Sequence, residues 1–166
     1  MEKIDKLRKI FEREKIDGYI IPKNDEFFGE YIPDHNDRLN FISNFSGSYG
    51  FALILKNKNY LFADGRYTLQ ANNQSGRFFK IITIPDKLPG DILKNKKLSI
   101  GFDPKLFTRR SLSIFLRKSK CKCKPLLNNL IDEIWKRKIK INKNKFFILP
   151  TGSVGEKHQS KINKLI

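Results

Sequence analysis

The order of helical and strand-like patterns predicts an α/β fold, with a mixed sheet and flanking helices arranged in three layers. Residues 4–11 place apolar side chains at i, i+3, i+6 and i+7, the stripe of an amphipathic helix that should end near Asp17. Residues 51–55 and 60–63 are apolar runs around the polar turn 56–59, which is typical of a β-hairpin. Because strands and helices alternate elsewhere, parallel strand pairs are also expected, and the sheet should be mixed.

Between the first helix and the hairpin, the sequence predicts a strand, a loop and a second helix. Residues 19–21 form a short apolar strand, which Pro22 should stop because proline cannot donate a hydrogen bond to a sheet ladder. A polar, aromatic loop follows at residues 23–33. Residues 37–45 carry apolar side chains at helical spacing, and the turn 46–48 should close that helix.

After the hairpin, the alternation continues to the end of the chain. The expected elements are a helix beginning at 67–72, a strand at 78–84, a helix at 92–93, a strand at 98–102, a helix bearing Leu112, Phe115 and Leu116, an extended segment at 121–125, a helix at 127–135 and a strand at 146–149. Thr108 should cap the helix that follows it, because its hydroxyl can accept a hydrogen bond from a free backbone N–H.

A domain boundary is expected where the composition becomes rich in Lys and Asn beyond Lys136. We assign residues 1–145 to one domain and residues 146–166 to a linker and the truncated start of a second domain. Residues 151–156 have helix-opening chemistry, and an apolar face begins after them. The sequence is therefore expected to be the front part of something longer.

Composition excludes a disordered chain and leaves the meaning of its charge open. Apolar residues make up 39% of the 166 residues and aromatic residues 12%, which is enough to build a core. The formal charge is +17, and such an excess can attract polyanions. However, the basic residues are scattered from Lys3 to Lys164 among many Asn and Ile, as an AT-rich gene would encode. The sequence therefore does not favour nucleic acid or an anionic membrane as partner.

Cysteine content and hydropathy predict a cytoplasmic protein. Cys121 and Cys123 are two residues apart, too close in an extended segment to form a disulfide readily, which fits a reducing compartment. The charged pattern that begins at Met1 has no apolar segment of signal-peptide length. No later run approaches the roughly 18 apolar residues of a membrane span.

The known catalytic motifs are absent or incomplete. The two histidines, His35 and His158, are far apart in sequence, and no HExxH pattern exists. Residues 46–50 lack the glycine spacing of a nucleophile elbow, and residues 152–157 lack the glycine that precedes the lysine of a P-loop. No catalytic residue and no metal ligand is assigned.

Two segments remain as candidate sites. Asp64, Arg66 and Tyr67 follow the hairpin, where a charged cluster can face a cleft or an interface. The alternative is a plain turn, in which Asp64 caps the next helix and Arg66 is exposed. Residues 25–31 combine carboxylates with aromatic side chains, and the alternative there is a loop that packs Phe27 or Phe28 onto the core.

Taken in order, these segments resemble the N-terminal domain of cytosolic-type aminopeptidase P, in the creatinase and prolidase family. The segments that carry the resemblance are residues 20–22, 25–31, 38–48, 61–70, 129–135 and 155–157. The resemblance implies a six-stranded mixed sheet related to the ribonuclease-H-like arrangement. In that family, two Asp, one His and two Glu of a C-terminal domain hold two divalent metals, usually manganese, which activate water to attack the bond before proline. That ligand cluster is missing here, so both metals are expected in a separate catalytic domain.

The resemblance also implies roles for this domain, namely homodimer contact and a wall of the active-site entrance. The implied partners are the catalytic domain, a second copy of the chain and peptides with proline at the second position. The candidate residues for the entrance or interface are Asp25, Glu30, Tyr31, Arg38, Asp64, Arg66 and Tyr67. Phe27 and Phe28 replace a histidine and a polar residue of many relatives, and Tyr49 replaces a small one. Two alternatives stay open: a free-standing basic module that binds nucleic acid, and a truncated gene remnant.

Overall fold

The computed structural model describes residues 2–29, 31–137 and 147–166. The helices are α1 (Glu2–Arg13), α2 (Arg38–Ser43), α3 (Thr68–Ser75), α4 (Pro89–Ile92), α5 (Arg109–Leu116), α6 (Leu130–Ile134), α7 (Thr151–Val154) and α8 (His158–Asn163). The strands are β1 (Gly18–Pro22), β2 (Gly50–Leu55), β3 (Asn59–Asp64), β4 (Lys80–Ile84), β5 (Ser99–Phe102) and β6 (Lys122–Pro125). Short 3-10 turns are formed by Asp34–Asn36, Gly65–Tyr67 and Pro104–Leu106.

The six strands form one mixed sheet in the order β4-β3-β2-β1-β5-β6. β2 runs antiparallel to its neighbours β1 and β3, and the other pairs are parallel. The β2–β3 hairpin lies where the sequence predicts it, with Ile54 opposite Asn59. Pro22 lies opposite Phe51 and is the last residue of β1, so the strand includes the proline and ends with it. The predicted mixed, six-stranded sheet is confirmed.

Helices cover both faces of the sheet and give the three predicted layers. One core contains Leu7 of α1, Leu39 of α2 and Ile131 of α6, packed on strand residues such as Ile21. The core on the other face packs Leu116 of α5 against the strands. Successive strand residues alternate between these two cores, as a pleated sheet requires.

Two helices are shorter than the sequence predicts, because capping residues set where they begin or end. The helix expected at 37–45 is the shorter α2. It starts after Asp37, which caps it, and it ends before Asn44, which adopts a left-handed conformation. The helix expected at 127–135 begins after Asn129, whose side chain accepts the N–H of Ile131. The Thr108 cap on α5 is confirmed by the hydrogen bond that it accepts from the N–H of Ser111 at 3.1 Å.

The strand predicted at 146–149 is wrong. Phe146 lies outside the described residues, and residues 147–149 are not in a strand. Their side chains are exposed. Among the described residues, no strand of the sheet pairs with this apolar run. The predicted boundary between residues 145 and 146 also falls outside the described residues. No described helix has both the length and the hydropathy needed to cross a bilayer.

The close approach of α4 and α5 depends on Gly90. A Cβ added there would lie 1.8 Å from the carbonyl oxygen of Arg117, which follows α5. Because that contact is to backbone, a side-chain rotation cannot relieve it. We expect Gly90→Ala to lower the free energy of unfolding by about 3 kcal/mol, at the upper end of ordinary overpacking effects.

Urea denaturation of the full chain measures this effect, and Gly152→Ala in α7 is the matched control. A Cβ at Gly152 meets no atom within 4 Å. Because alanine favours helix over glycine, the control should keep or slightly raise stability. Equal stability of the two variants would contradict the described packing of α4 on α5.

Candidate functional site

Both candidate segments lie at one end of the sheet, which we call the carboxyl end because β1, β3, β4, β5 and β6 all end there. The loop that contains Asp25 follows β1, and β3 ends at Asp64. The antiparallel β2 separates them and starts at this end with Gly50. Two strand spacings place the two segments roughly 10 Å apart along the sheet.

Asp25 is buried and shapes the loop that follows β1. Its Oδ1 accepts the backbone N–H of Phe27 at 3.1 Å, and Asn36 donates to its Oδ2 at 3.4 Å. Its carbonyl oxygen also accepts the N–H of Phe28 at 3.2 Å. Asp25 therefore acts on the loop conformation and does not face solvent.

Arg38 is the most highly connected of the candidate side chains, and only 3% of it is exposed. Nε and Nη2 donate to the two carboxylate oxygens of Asp132, both at 2.8 Å. Nη2 and Nη1 donate to Glu26 at 2.8 and 3.3 Å. Bidentate, charge-assisted bonds of this kind are among the strongest in proteins. Arg38 thereby joins α2 to α6 and to the root of the loop.

The surroundings of Arg38 balance its charge. Arg137 also contacts the Asp132 carboxylate and lies 4.7 Å from the centre of the Trp135 ring. The hydrogen bond from Arg38 holds the pKa of Glu26 below its ordinary value. The pKa of the Arg137 guanidinium is also lowered, but the main cause there is burial. Two guanidinium groups and two carboxylates form one network, which we call the Arg38 network: Arg38, Arg137, Glu26 and Asp132.

A second ion pair lies beneath the same loop. Lys23 directly follows β1, and its ammonium group contacts the carboxylate of Asp37. Both side chains are nine-tenths buried. Asp37 also caps α2 by accepting the N–H of Asn40 at 3.0 Å. The root of the loop is thus fixed by charged groups on both sides.

The tip of the loop, in contrast, is exposed. Phe27 is 84% exposed and Tyr31 is 87% exposed, while Phe28 is half exposed. The alternative in which Phe27 packs onto the core is therefore not observed. Glu30, a predicted site residue, lies outside the described residues.

Asp64, Arg66 and Tyr67 form a local cluster at the end of β3. Asp64 accepts the backbone N–H of Arg66 at 3.0 Å and its Nε at 2.9 Å. This hydrogen bonding lowers the pKa of Asp64. Arg66 remains 74% exposed, and the Tyr67 hydroxyl lies 2.7 Å from the Ser48 hydroxyl. Locally this is the capped turn with an exposed arginine that the sequence left as the alternative.

An aromatic cavity of about 170 Å³ opens at the carboxyl end of the sheet, close to β1 and β2. Phe28 and Tyr49 form part of its wall, and both are about half exposed. Phe51, Phe107 and Phe115 complete its aromatic lining. A larger cavity of about 540 Å³ lies between the end of α1 and the start of α6, where Arg13 and Glu133 already pair with each other.

The structure buries Asp25 and Arg38 around the root of the loop after β1, and it brings Asp64, Arg66 and Tyr67 together in a turn from which Arg66 is exposed. Sequence reasoning missed the contacts of Asp132 with Arg38, of Asp37 with Lys23 and of Ser48 with Tyr67. Asp132 is 94 residues from Arg38 in the chain, so no local spacing could connect them.

Within the described ranges, no three His, Cys, Asp or Glu side chains come together as a metal site. Cys121 and Cys123 are both free thiols. What the candidate site offers is an exposed guanidinium, exposed aromatic rings and a firmly held loop. These groups can bind and orient a chain.

Comparison with known proteins identifies the domain. The family described as the Creatinase/Prolidase N-terminal domain matches residues 3–133. A probable Xaa-Pro aminopeptidase P of Laccaria bicolor is 32% identical over 99% of this chain and 27% of its own length. The protein of the same name from Aspergillus oryzae is also 32% identical, with the same coverage of both chains.

Solved structures agree with this relationship. The X-prolyl aminopeptidase of Caenorhabditis elegans, described as a cytosolic enzyme with a di-nuclear active site, superposes with a TM-score of 0.83 and 28% identity. The superposition covers 99% of this chain and 30% of that one. The N-terminal domain of the cytoplasmic peptidase PepQ from Mycobacterium tuberculosis shares the fold at a TM-score of 0.61 and 19% identity, over 98% of its own chain.

The chain spans about a quarter of the length of the Xaa-Pro aminopeptidases that it matches. The family match covers the whole sheet and the helices on both of its faces. The chain therefore belongs to the creatinase/prolidase N-terminal domain family and is an N-terminal domain of the Xaa-Pro aminopeptidase kind.

Proposed function

We propose that this chain is the non-catalytic N-terminal domain of a Xaa-Pro aminopeptidase, where it contacts a second copy and shapes the entrance to the active site. The supporting observation is that curated Xaa-Pro aminopeptidases match 99% of this chain with only 27% of their own length. The chemistry then belongs to a C-terminal catalytic domain with two divalent metals, manganese in this proposal. The substrates are peptides with proline at the second position, and the site of action is the cytoplasm.

The proposed division of the chain places residues 1–145 in this domain and residues 146–166 in a linker and the start of the next domain. The described sheet and its two cores are complete before residue 137. Residues 147–166 contain α7 and α8, with Phe147, Leu165 and Ile166 strongly exposed. Exposed apolar side chains of this kind suit contact with further protein.

The entrance role depends on the contrast between the root and the tip of the loop. Asp25 and the Arg38 network hold the root, while Phe27 and Tyr31 present their rings to solvent. A loop that is already ordered loses little conformational entropy when it contacts a peptide or a second protein. The loop can therefore limit the length of a bound peptide without closing on it.

Arg66 is the proposed charged contact of this entrance. Its guanidinium is exposed at the same end of the sheet, and Asp64 holds its Nε at 2.9 Å. The remaining N–H groups of a guanidinium suit a carboxylate such as the C-terminus of a peptide. Tyr67 supports the turn through its contact with Ser48.

The entrance role is tested by replacing the superposed N-terminal region of the C. elegans enzyme with this chain. In that chimera, Arg66→Ala should raise KM about tenfold for a Xaa-Pro tetrapeptide and leave kcat unchanged, because uniform binding is lost. A Xaa-Pro dipeptide should be unaffected. Lys87→Ala, which removes an exposed cation after β4 at the same end, is the matched control.

The isolated chain with manganese should release no amino acid.

Two results would contradict the proposal separately. An unchanged KM for the tetrapeptide in the Arg66 variant would remove the entrance role. Release of the N-terminal residue by the isolated chain, above a buffer control, would remove the non-catalytic assignment.

The Arg38 network should govern stability, whereas Arg66 should not. Removing Arg38 leaves Glu26 without its cationic partner and leaves Asp132 with Arg137 alone. Breaking a buried pair typically costs about 3–5 kcal/mol. We expect a loss of about 3 kcal/mol for Arg38→Ala in urea denaturation of the full chain. The control Arg66→Ala should leave stability nearly unchanged, because exposed ion pairs contribute little. Similar losses in both variants would show that the network does not anchor the loop.

The same network predicts a pH dependence. The pKa of Glu26 is lowered in the folded state by the hydrogen bond from Arg38. Its contribution is therefore fully present above its ordinary pKa of 4.5 and is lost as pH falls through the lowered value. We expect Glu26→Gln to be less stable than the parent at pH 6 by about 1–2 kcal/mol, and the difference to shrink as the pH falls below 4.5. A difference that does not shrink as the pH is lowered below 4.5 would exclude this linkage.

A further inference from the structure

The opposite end of the sheet, which we call the amino end, carries a row of exposed cations. β1, β3, β4, β5 and β6 begin there and β2 ends there. In sequence these cations are spread over more than a hundred residues, from Lys15 to Lys122. The fold gathers them, since the amino ends of parallel strands meet at one end of a sheet.

The half of the row formed by β4, β3 and β2 holds four cations. Arg77 precedes β4, and Lys80 is its first residue. Lys56 and Lys58 occupy the turn between β2 and β3. All four side chains are exposed.

The other half of the row lies at the starts of β1, β5 and β6. Lys15 precedes β1, Lys96 and Lys97 precede β5, and Lys120 and Lys122 flank the start of β6. All are exposed. A cavity of about 290 Å³ joins the two halves, because Lys58 and Lys96 both line it. The row is therefore continuous across the sheet.

Carboxylates scarcely offset this charge. Asp17 lies at the amino end, but it already binds Lys56 at 2.8 Å and accepts the N–H of Ser99 at 2.9 Å. Glu14, at the end of α1, pairs with Arg13. No ion pair joins Lys58, Lys80, Lys96 or Lys97 to a carboxylate within the ranges that the structure describes. In contrast, the carboxyl end holds Asp25, Glu26, Asp64, Asp86 and Asp103.

We propose that the amino end of the sheet binds the phosphate backbone of a nucleic acid, without reading its sequence. Six strands span about 24 Å, which matches roughly seven phosphates along one strand of a duplex. Lysine is a point charge that suits phosphate without fixing base identity. This activity is independent of the proposed peptidase role, which uses the carboxyl end.

The surface favours nucleic acid over an anionic membrane. Stable binding to a bilayer surface needs apolar side chains that enter the interface, besides basic charge. The strongly exposed rings of Phe27 and Tyr31 lie at the carboxyl end, and the row itself consists of lysines and one arginine. A stacking surface for unpaired bases is likewise lacking among the described side chains of the amino end, so a duplex is the better ligand.

The test is fluorescence anisotropy of a labelled 20-base-pair duplex, titrated with the full chain between 50 and 200 mM salt. The test variant carries Lys58→Gln, Lys80→Gln, Lys96→Gln and Lys97→Gln. The control variant removes four exposed cations at the carboxyl end, by Lys87→Gln, Lys105→Gln, Arg109→Gln and Arg110→Gln. Net charge is therefore equal in the two variants, and thermal melts verify that both are folded.

We expect the test variant to bind at least tenfold more weakly at 100 mM salt, and the control to lose less than threefold. The slope of log K against log salt should become shallower by about 3.6 in the test variant, since each of the four lost phosphate contacts removes roughly 0.9. Two duplexes of unrelated sequence should bind with equal affinity.

Three outcomes would overturn the proposal. One is no binding by the parent chain at 50 mM salt, and another is an equal loss in both variants, which would show only the effect of net charge. The third is binding to vesicles of phosphatidylcholine with 30% phosphatidylserine that depends on the same lysines, without binding to either duplex. A failure here leaves the peptidase role untouched, because the chimera experiment measures the other end of the sheet.

Discussion

The buried guanidinium of Arg38 is the interaction on which the candidate site depends. It makes short hydrogen bonds to Asp132 of α6 and to Glu26 at the root of the loop after β1. A charge removed from water this completely is tolerated only when its partners are well placed. The position of α6, the course of the loop and the orientation of α2 must therefore agree with one another. This buried charge holds the root of the loop from which the exposed aromatic side chains project.

The topology of the sheet separates two chemical environments. With five strands running one way, every loop that follows a parallel strand gathers at the carboxyl end and every segment that precedes one gathers at the amino end. Carboxylates follow the strands, at Asp25, Asp64 and Asp103, where they accept backbone N–H groups and fix turns. Lysines precede the strands and stay in solvent. Nine of the exposed cations that contribute to the net charge of +17 are thereby gathered at the amino end.

Sequence reasoning succeeded where the determinants are local. The hairpin is encoded by two apolar runs and the turn between them, and the Thr108 cap by a hydroxyl next to the helix that it serves. It failed at residues 147–149, because an apolar β-like run needs a partner strand that the pattern itself does not specify. Asp25 and Arg38 were selected through the family resemblance, but their burial and their partners depend on contacts that span the chain.

The same reasoning explains why the sequence alone does not locate the charge. Scattered lysines look like the product of base composition, since nothing along the chain distinguishes those that precede strands from the rest. Only the strand order, which brings Lys58 and Lys96 to one cavity, turns them into a surface. Composition can account for the number of lysines, but it does not account for their gathering at one end of the sheet while Asp25, Asp64 and Asp103 gather at the other. That asymmetry is a property of the fold, and it is the reason to treat the two ends of this sheet as separate functional surfaces.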